Sequence, residues 1–111
     1  MTEARDSLSL TGVESMLLAT GGWREQSLKT VEQYLVLFNK WLPFPSLNEA
    51  RQVPGTCITP THCVFCFCGV NCGVYSRTVE RIDISEESEW SMLTLNQDLK
   101  STAHLVAVPL F

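Results

Sequence analysis

The sequence predicts an α+β fold: N-terminal helices, the main one over about residues 23–42, packed on a C-terminal antiparallel β-meander of about four strands. Three observations predict it. Between Trp23 and Leu42, apolar side chains fall at 28, 31, 34, 35, 38, 41 and 42, spacings that share one face of a helix. After residue 56 the texture changes to "CVFCFCG" and "GVYSRTVERIDI", rich in the aromatic and β-branched residues that strands favour. Of the 111 residues 45% are hydrophobic and 18% charged, a globular rather than a disordered composition.

The elements follow in order. Residues 1–10 are polar and read as a loose tail, and residues 11–111 as a single domain. Thr11-Gly12-Val13-Glu14 has the form of a capping box, followed by Val13, Met16, Leu17 and Leu18, and Gly21-Gly22 ends this short helix. In the main helix Arg24, Glu25, Lys29, Glu32, Gln33, Asn39 and Lys40 take the solvent face, Leu35 and Phe38 face the core, and Pro43 and Pro45 stop it. Ser46-Leu47-Asn48-Glu49 repeats the capping-box form and suggests one more helical turn, and Val53-Pro54-Gly55-Thr56 reads as a turn. The strands then run through 63–69 and 73–84, separated by a hairpin tip at Val70-Asn71, and through 90–95 and 102–111, with an acidic loop at 85–89. No internal repeat and no low-complexity segment is visible.

The net charge of −4 and eight scattered Lys and Arg residues argue against a broad phosphate-binding surface, so nucleic-acid binding is expected to be weak or absent. No apolar run is long enough to span a bilayer, and no signal peptide is apparent. A cytoplasmic or nuclear location follows as an expectation. Five cysteines in such a reducing compartment do not suggest a disulfide framework.

Residues 57–73 form a cysteine-rich segment. Cys63, Cys66, Cys68 and Cys72 make two closely spaced pairs, with Cys57, His62 and His104 as reserve ligands. Thiolates and imidazoles in such number suit structural Zn2+, which takes four of them tetrahedrally. Only Phe67 separates the pairs, where two approaching turns would need more chain. On an extended strand Cys66 and Cys68 point one way and Cys63 the other. Buried thiols acting as small hydrophobes, a redox-active pair or an iron–sulfur site are the competing readings. No catalytic residue is assigned: there are two histidines, no phosphate loop and no nucleophile elbow. Trp23, Trp41 and Phe111 are the candidate partner contacts. Because His104 to Phe111 is apolar on both faces, a homodimer is expected to cover it.

In its size and its mid-chain segment "HCVFCFCGVNC", the chain resembles the zinc-binding silencing suppressors encoded by sobemoviruses. That resemblance implies a small viral accessory protein that suppresses host RNA silencing and aids virus spread through contact with a host protein. The alternatives are a small thiol-based redox protein or cysteine-dependent enzyme, and a zinc-stabilised cellular interaction domain.

Overall fold

The structure is a computed structural model and describes residues 1–86 and 88–94. It is built of strands. Two antiparallel four-stranded sheets follow one another along the chain. The first, in the order β1-β2-β3-β4, comprises β1 (Ser9–Val13), β2 (Met16–Thr20), β3 (Val31–Leu35) and β4 (Lys40–Phe44). The second, in the order β10-β9-β6-β5, comprises β5 (Gly55–Ile58), β6 (Cys63–Phe67), β9 (Thr78–Asp83) and β10 (Ser91–Thr94). A small hairpin, β7 (Val70–Asn71) with β8 (Val74–Tyr75), sits between β6 and β9.

The N-terminal helices of the α+β expectation are therefore absent among the described residues. The segment around 13–18 is the β1–β2 hairpin. Val13 pairs with Met16 across the two-residue tip Glu14-Ser15, and Glu14 takes φ 54° to make the turn. The main helix of 23–42 is instead a loop, β3, a single 3-10 turn (Val36–Phe38) and β4. Two short strands joined by a tight tip place apolar residues at intervals that a helical template also accepts. Phe38, expected in the core, is 74% exposed at that tip, and Leu35 is half-buried. Pro43 does not stop a helix. It lies on β4, an edge strand, where a missing N–H costs no ladder bond. Residues 46–49 form no helical turn either. The backbone N–H groups of Asn48 and Glu49 instead donate to the Glu80 carboxylate. The strands expected at 63–69, 73–84 and 90–95 overlie β6, β9 and β10, but the hairpin tip lies at Cys72-Gly73, not Val70-Asn71. The expected strand at 102–111, and with it the His104–Phe111 dimer surface, lies outside the described residues.

The first ten residues are not a loose tail. The Arg5 side chain is fully buried, Asp6 exchanges backbone hydrogen bonds with Trp23 at 3.0 and 2.8 Å, and β1 begins at Ser9. The two sheets meet along β1 and β5, where Thr56 Oγ1 hydrogen-bonds with the hydroxyls of Ser9 and Thr11. Between them lies one apolar cluster that includes Leu18, Val31, Leu47, Val64, Ile82 and Trp90. The turn after β2 needs its glycines. Gly21 has φ 63°, and a Cβ there would stand 2.5 Å from the Arg51 carbonyl oxygen of the chain entering the second sheet.

Candidate functional site

The two sheets share a buried polar constellation, and the sequence carries it as a repeat. Glu3-Ala4-Arg5 recurs as Glu49-Ala50-Arg51, and Thr30-Val31-Glu32 recurs as Thr78-Val79-Glu80. In the first sheet, Arg5 Nη1 donates to the carbonyls of Gly21 (2.9 Å) and Thr30 (2.8 Å), and Nη2 donates to Thr30 Oγ1 (3.1 Å) and to Glu32 (3.2 Å). In the second, Arg51 Nη1 donates to the carbonyls of Cys68 (2.9 Å) and Thr78 (3.0 Å), and Nη2 donates to Thr78 Oγ1 (2.7 Å) and to Glu80 (3.1 Å). The threonine hydroxyls donate onward to Glu3 and Glu49. Gly21 and Cys68 occupy the same place, both at positive φ and each donating its N–H 3.1 Å to the matching threonine carbonyl. Each arginine thus locks the turn after its sheet's second strand to the third strand.

Both carboxylates are buried and well supplied with donors. Glu32 accepts from the Thr2 N–H and hydroxyl (2.8 and 2.7 Å) and the Glu3 N–H (3.3 Å). Desolvation pushes its carboxyl pKa up. The hydrogen bonds from Thr2, the charge of Arg5 and the Glu3 N–H together outweigh that and hold it below the ordinary carboxylate range. A carboxyl whose pKa falls on folding contributes stability above its unfolded pKa, and that stability is lost as pH falls through the folded value. Acid titration of the wild type should therefore show stability lost below about pH 4.3, the ordinary glutamate range. Glu32→Gln should flatten that part of the stability curve. Identical acid profiles for the two proteins would refute the assignment.

The cysteines are dispersed. Strand alternation puts Val64 and Cys66 in the core while Cys63, Phe65 and Phe67 are half-buried on the other side of β6. Cys63 Sγ receives a weak 3.9 Å contact from Arg81, Cys57 is half-buried on β5, Cys68 is buried in the turn, and Cys72 is exposed at the β7–β8 tip. His62 is a tip residue at φ 64°, with Nε2 2.8 Å from Glu14 Oε1. His104 lies outside the described residues. Among the described residues no three His, Cys, Asp or Glu side chains come together as a metal-holding group. The zinc-binding description read from the spacing is corrected on that ground, since a flat strand separates neighbours that a ligand loop would gather. Burial pushes the Cys66 thiol up to about 12, with Arg51 opposing and Glu80 and Cys68 adding to the rise, and burial also raises Cys57. Neither Cys63 nor Cys66 stands at a helix N-terminus. In native protein at neutral pH, iodoacetamide should therefore modify Cys72 well before Cys66 or Cys68, which should react only on unfolding. Early alkylation of Cys66, read by peptide mapping, would contradict this placement.

Of the candidate partner contacts, Trp23 is 40% exposed in the β2–β3 loop, where it lines a shallow pocket with Arg5, Asp6 and Arg24. Trp41 is half-buried on β4 and packs against Tyr34 with ring centroids 5.0 Å apart. The two tryptophans share no helix face, and Phe111 lies outside the described residues. Sequence reasoning missed Arg5, Arg51, Glu32 and Glu80. The doubled Glu-Ala-Arg and Thr-Val-Glu triplets, recurring 46 and 48 residues apart, were the signal that could have found them.

A third feature is a cavity of about 250 Å³ between the tips of the two sheets, lined by Val13, Glu14, Ser15, Met16, His62, Ile84 and Ser85. It lies at the end carrying the β1–β2, β3–β4, β5–β6 and β9–β10 connections. No helix among the described residues is long and apolar enough to cross a membrane.

No curated protein matches the sequence significantly. A family profile does: the Kelch motif matches residues 4–48, less than half of the chain. The matched stretch runs from Ala4, beside the first arginine, through all four strands of the first sheet. Kelch repeats are four-stranded propeller blades. This overturns the resemblance to a sobemovirus zinc-binding suppressor, and with it the viral and silencing-suppressor reading. The likeness of the first sheet is to a Kelch blade, and the second sheet repeats its strand order and its buried constellation.

Proposed function

We propose that the chain is a protein-interaction module of the β-propeller type, its two four-stranded sheets being neighbouring blades. The Kelch match over the first sheet is the observation that carries this reading. The repeated arginine constellation supports the second blade. Propellers set typically 4–8 such sheets around a channel, with one edge strand of each blade facing inward. The contact of β1 with β5, where the two sheets meet, suits that inner position. Two blades form an arc, so ring closure requires further blades.

In this reading the rigid sheets present loops that bind, and no turnover is involved. The test is capture with the full chain as bait, followed by calorimetry with the protein identified. The expected result is saturable binding, in fixed stoichiometry, to a folded wild-type bait and weakened binding to a loop variant of unchanged thermal stability. Non-saturable binding, or binding unaffected by substitutions in every loop, would refute the reading.

A further inference from the structure

One end of the two sheets combines an apolar knuckle, a cavity and a set of carboxylates. The knuckle is the β3–β4 tip, where Val36, Leu37 and Phe38 are 49%, 80% and 74% exposed. Three consecutive large apolar side chains in water mark a contact surface more often than chance exposure. The tip is held in shape. Asn39 adopts the left-handed conformation and donates its N–H to the Val36 carbonyl at 3.3 Å, and the Tyr34 hydroxyl hydrogen-bonds Asn39 Oδ1 at 2.5 Å. The Val36 N–H donates to the Ser15 carbonyl at 3.0 Å. An anchor already fixed loses little conformational freedom when a partner covers it.

Ser15 also lines the cavity between the sheets, so knuckle and cavity adjoin. Around that cavity the charge is mostly negative. Glu14 and Glu86 are exposed, and the sequence of the β9–β10 connection, Ser85-Glu86-Glu87-Ser88-Glu89, contains no basic residue. The Ser85 hydroxyl and N–H hold the Asp83 carboxyl below its ordinary range, so it is ionised at neutral pH. Among the described residues the cations at this end are Lys40 and Arg81, and the His62 imidazole already faces Glu14.

We infer that this end docks a basic protein segment bearing an apolar or aromatic side chain. The apolar group rests on Leu37 and Phe38, and the cations face Glu14 and the β9–β10 connection. The inference rests on the interaction-module reading and names the surface and the chemistry of its partner. Charge decides between occupants. A second copy of this chain carries the same net charge of −4 and would bring like charge to the surface, whereas a basic segment is complementary.

The test uses the full chain and a fluorescent ten-residue peptide alternating lysine with leucine and phenylalanine, with a glutamate-for-lysine peptide as control. The lysine peptide should bind saturably, and more weakly as salt rises. Leu37→Ser combined with Phe38→Ser should weaken it about tenfold or more while thermal unfolding stays unchanged. Glu14→Lys combined with Glu86→Lys should do the same. Equal binding of the two peptides would overturn the inference, as would wild-type affinity in the double serine variant. So would a dimer, seen by light scattering, that the serine substitutions dissolve, because the occupant would then be a second copy. A captured partner that the double serine variant still binds defeats the inference and leaves the interaction module standing. That module fails if binding is non-saturable or if no loop substitution weakens it.

Discussion

Replacing Arg51 by alanine should cost about 3–5 kcal/mol, the range for breaking a buried, hydrogen-bonded ion pair by removing one partner. The guanidinium is fully buried and makes hydrogen bonds to Glu80, Thr78, Ser76 and the Cys68 carbonyl. Its loss leaves the Glu80 carboxylate buried with only the Asn48 and Glu49 donors among the described residues. It also frees the turn after β6 from β9. Domains of this size carry roughly 5–15 kcal/mol in total, so much of the stability should go. Arg51→Lys should recover little, because one ammonium cannot span the fork of acceptors. Arg5→Ala should cost less, since Arg5 divides its ion pairing between Glu32 and the partly exposed Glu3, and its Nε has no partner among the described residues. Urea unfolding followed by circular dichroism measures all three. A loss below about 1 kcal/mol for Arg51→Ala would show that the second constellation does not hold its sheet together.

Trp90→Ala should cost about 3–5 kcal/mol, as for other fully buried tryptophans. Trp90 is 4% exposed in the cluster between the sheets, and its indole N–H donates 2.8 Å to the Pro45 carbonyl of the chain linking β4 to β5. Trp90→Phe separates the two contributions. It keeps most of the apolar contact but leaves the carbonyl without its donor, a penalty of about 1–3 kcal/mol. Trp41→Ala, at a half-exposed site against Tyr34, should cost distinctly less than Trp90→Ala. Equal losses at the two tryptophans in thermal melts would mean that Trp41 is as deeply held as Trp90.

Different physical signals account for what was legible and what was not. Strands β6, β9 and β10 could be placed because β-branched and aromatic residues crowd them and turn residues bound them. The helix expected over 23–42 failed for two reasons. Periodicity counts apolar residues without asking whether the chain reverses, and β3, a three-residue tip and β4 mimic the helical interval. The second reason is Glu32, assigned to the solvent face and found 4% exposed beneath Arg5 and Thr2. The capping-box forms at 11–14 and 46–49 misled in the same direction. One is a β-hairpin corner, and the other is a loop that supplies N–H groups to Glu80.

By itself the sequence determined the globular composition, the acidic balance and the β-rich second half; no repeat was legible in it until the structure showed the same contacts around Arg5 and Arg51, which the doubled Glu-Ala-Arg and Thr-Val-Glu triplets encode. Tertiary structure alone decided that the charged side chains of Arg5, Glu32, Arg51 and Glu80 lie inside, that residues 23–42 hold a loop, β3, a 3-10 turn and the start of β4, and that the cysteines of residues 63–72 are spread over both faces of a strand, a turn and a hairpin tip. The reason is that burying a charge depends on its partner. A lone carboxylate belongs in water, and Glu32 and Glu80 can leave it only because a guanidinium and two backbone N–H groups, distant in sequence, meet each of them. Local patterning records the residue types, whereas the pairing across the sheet decides which of them can be buried.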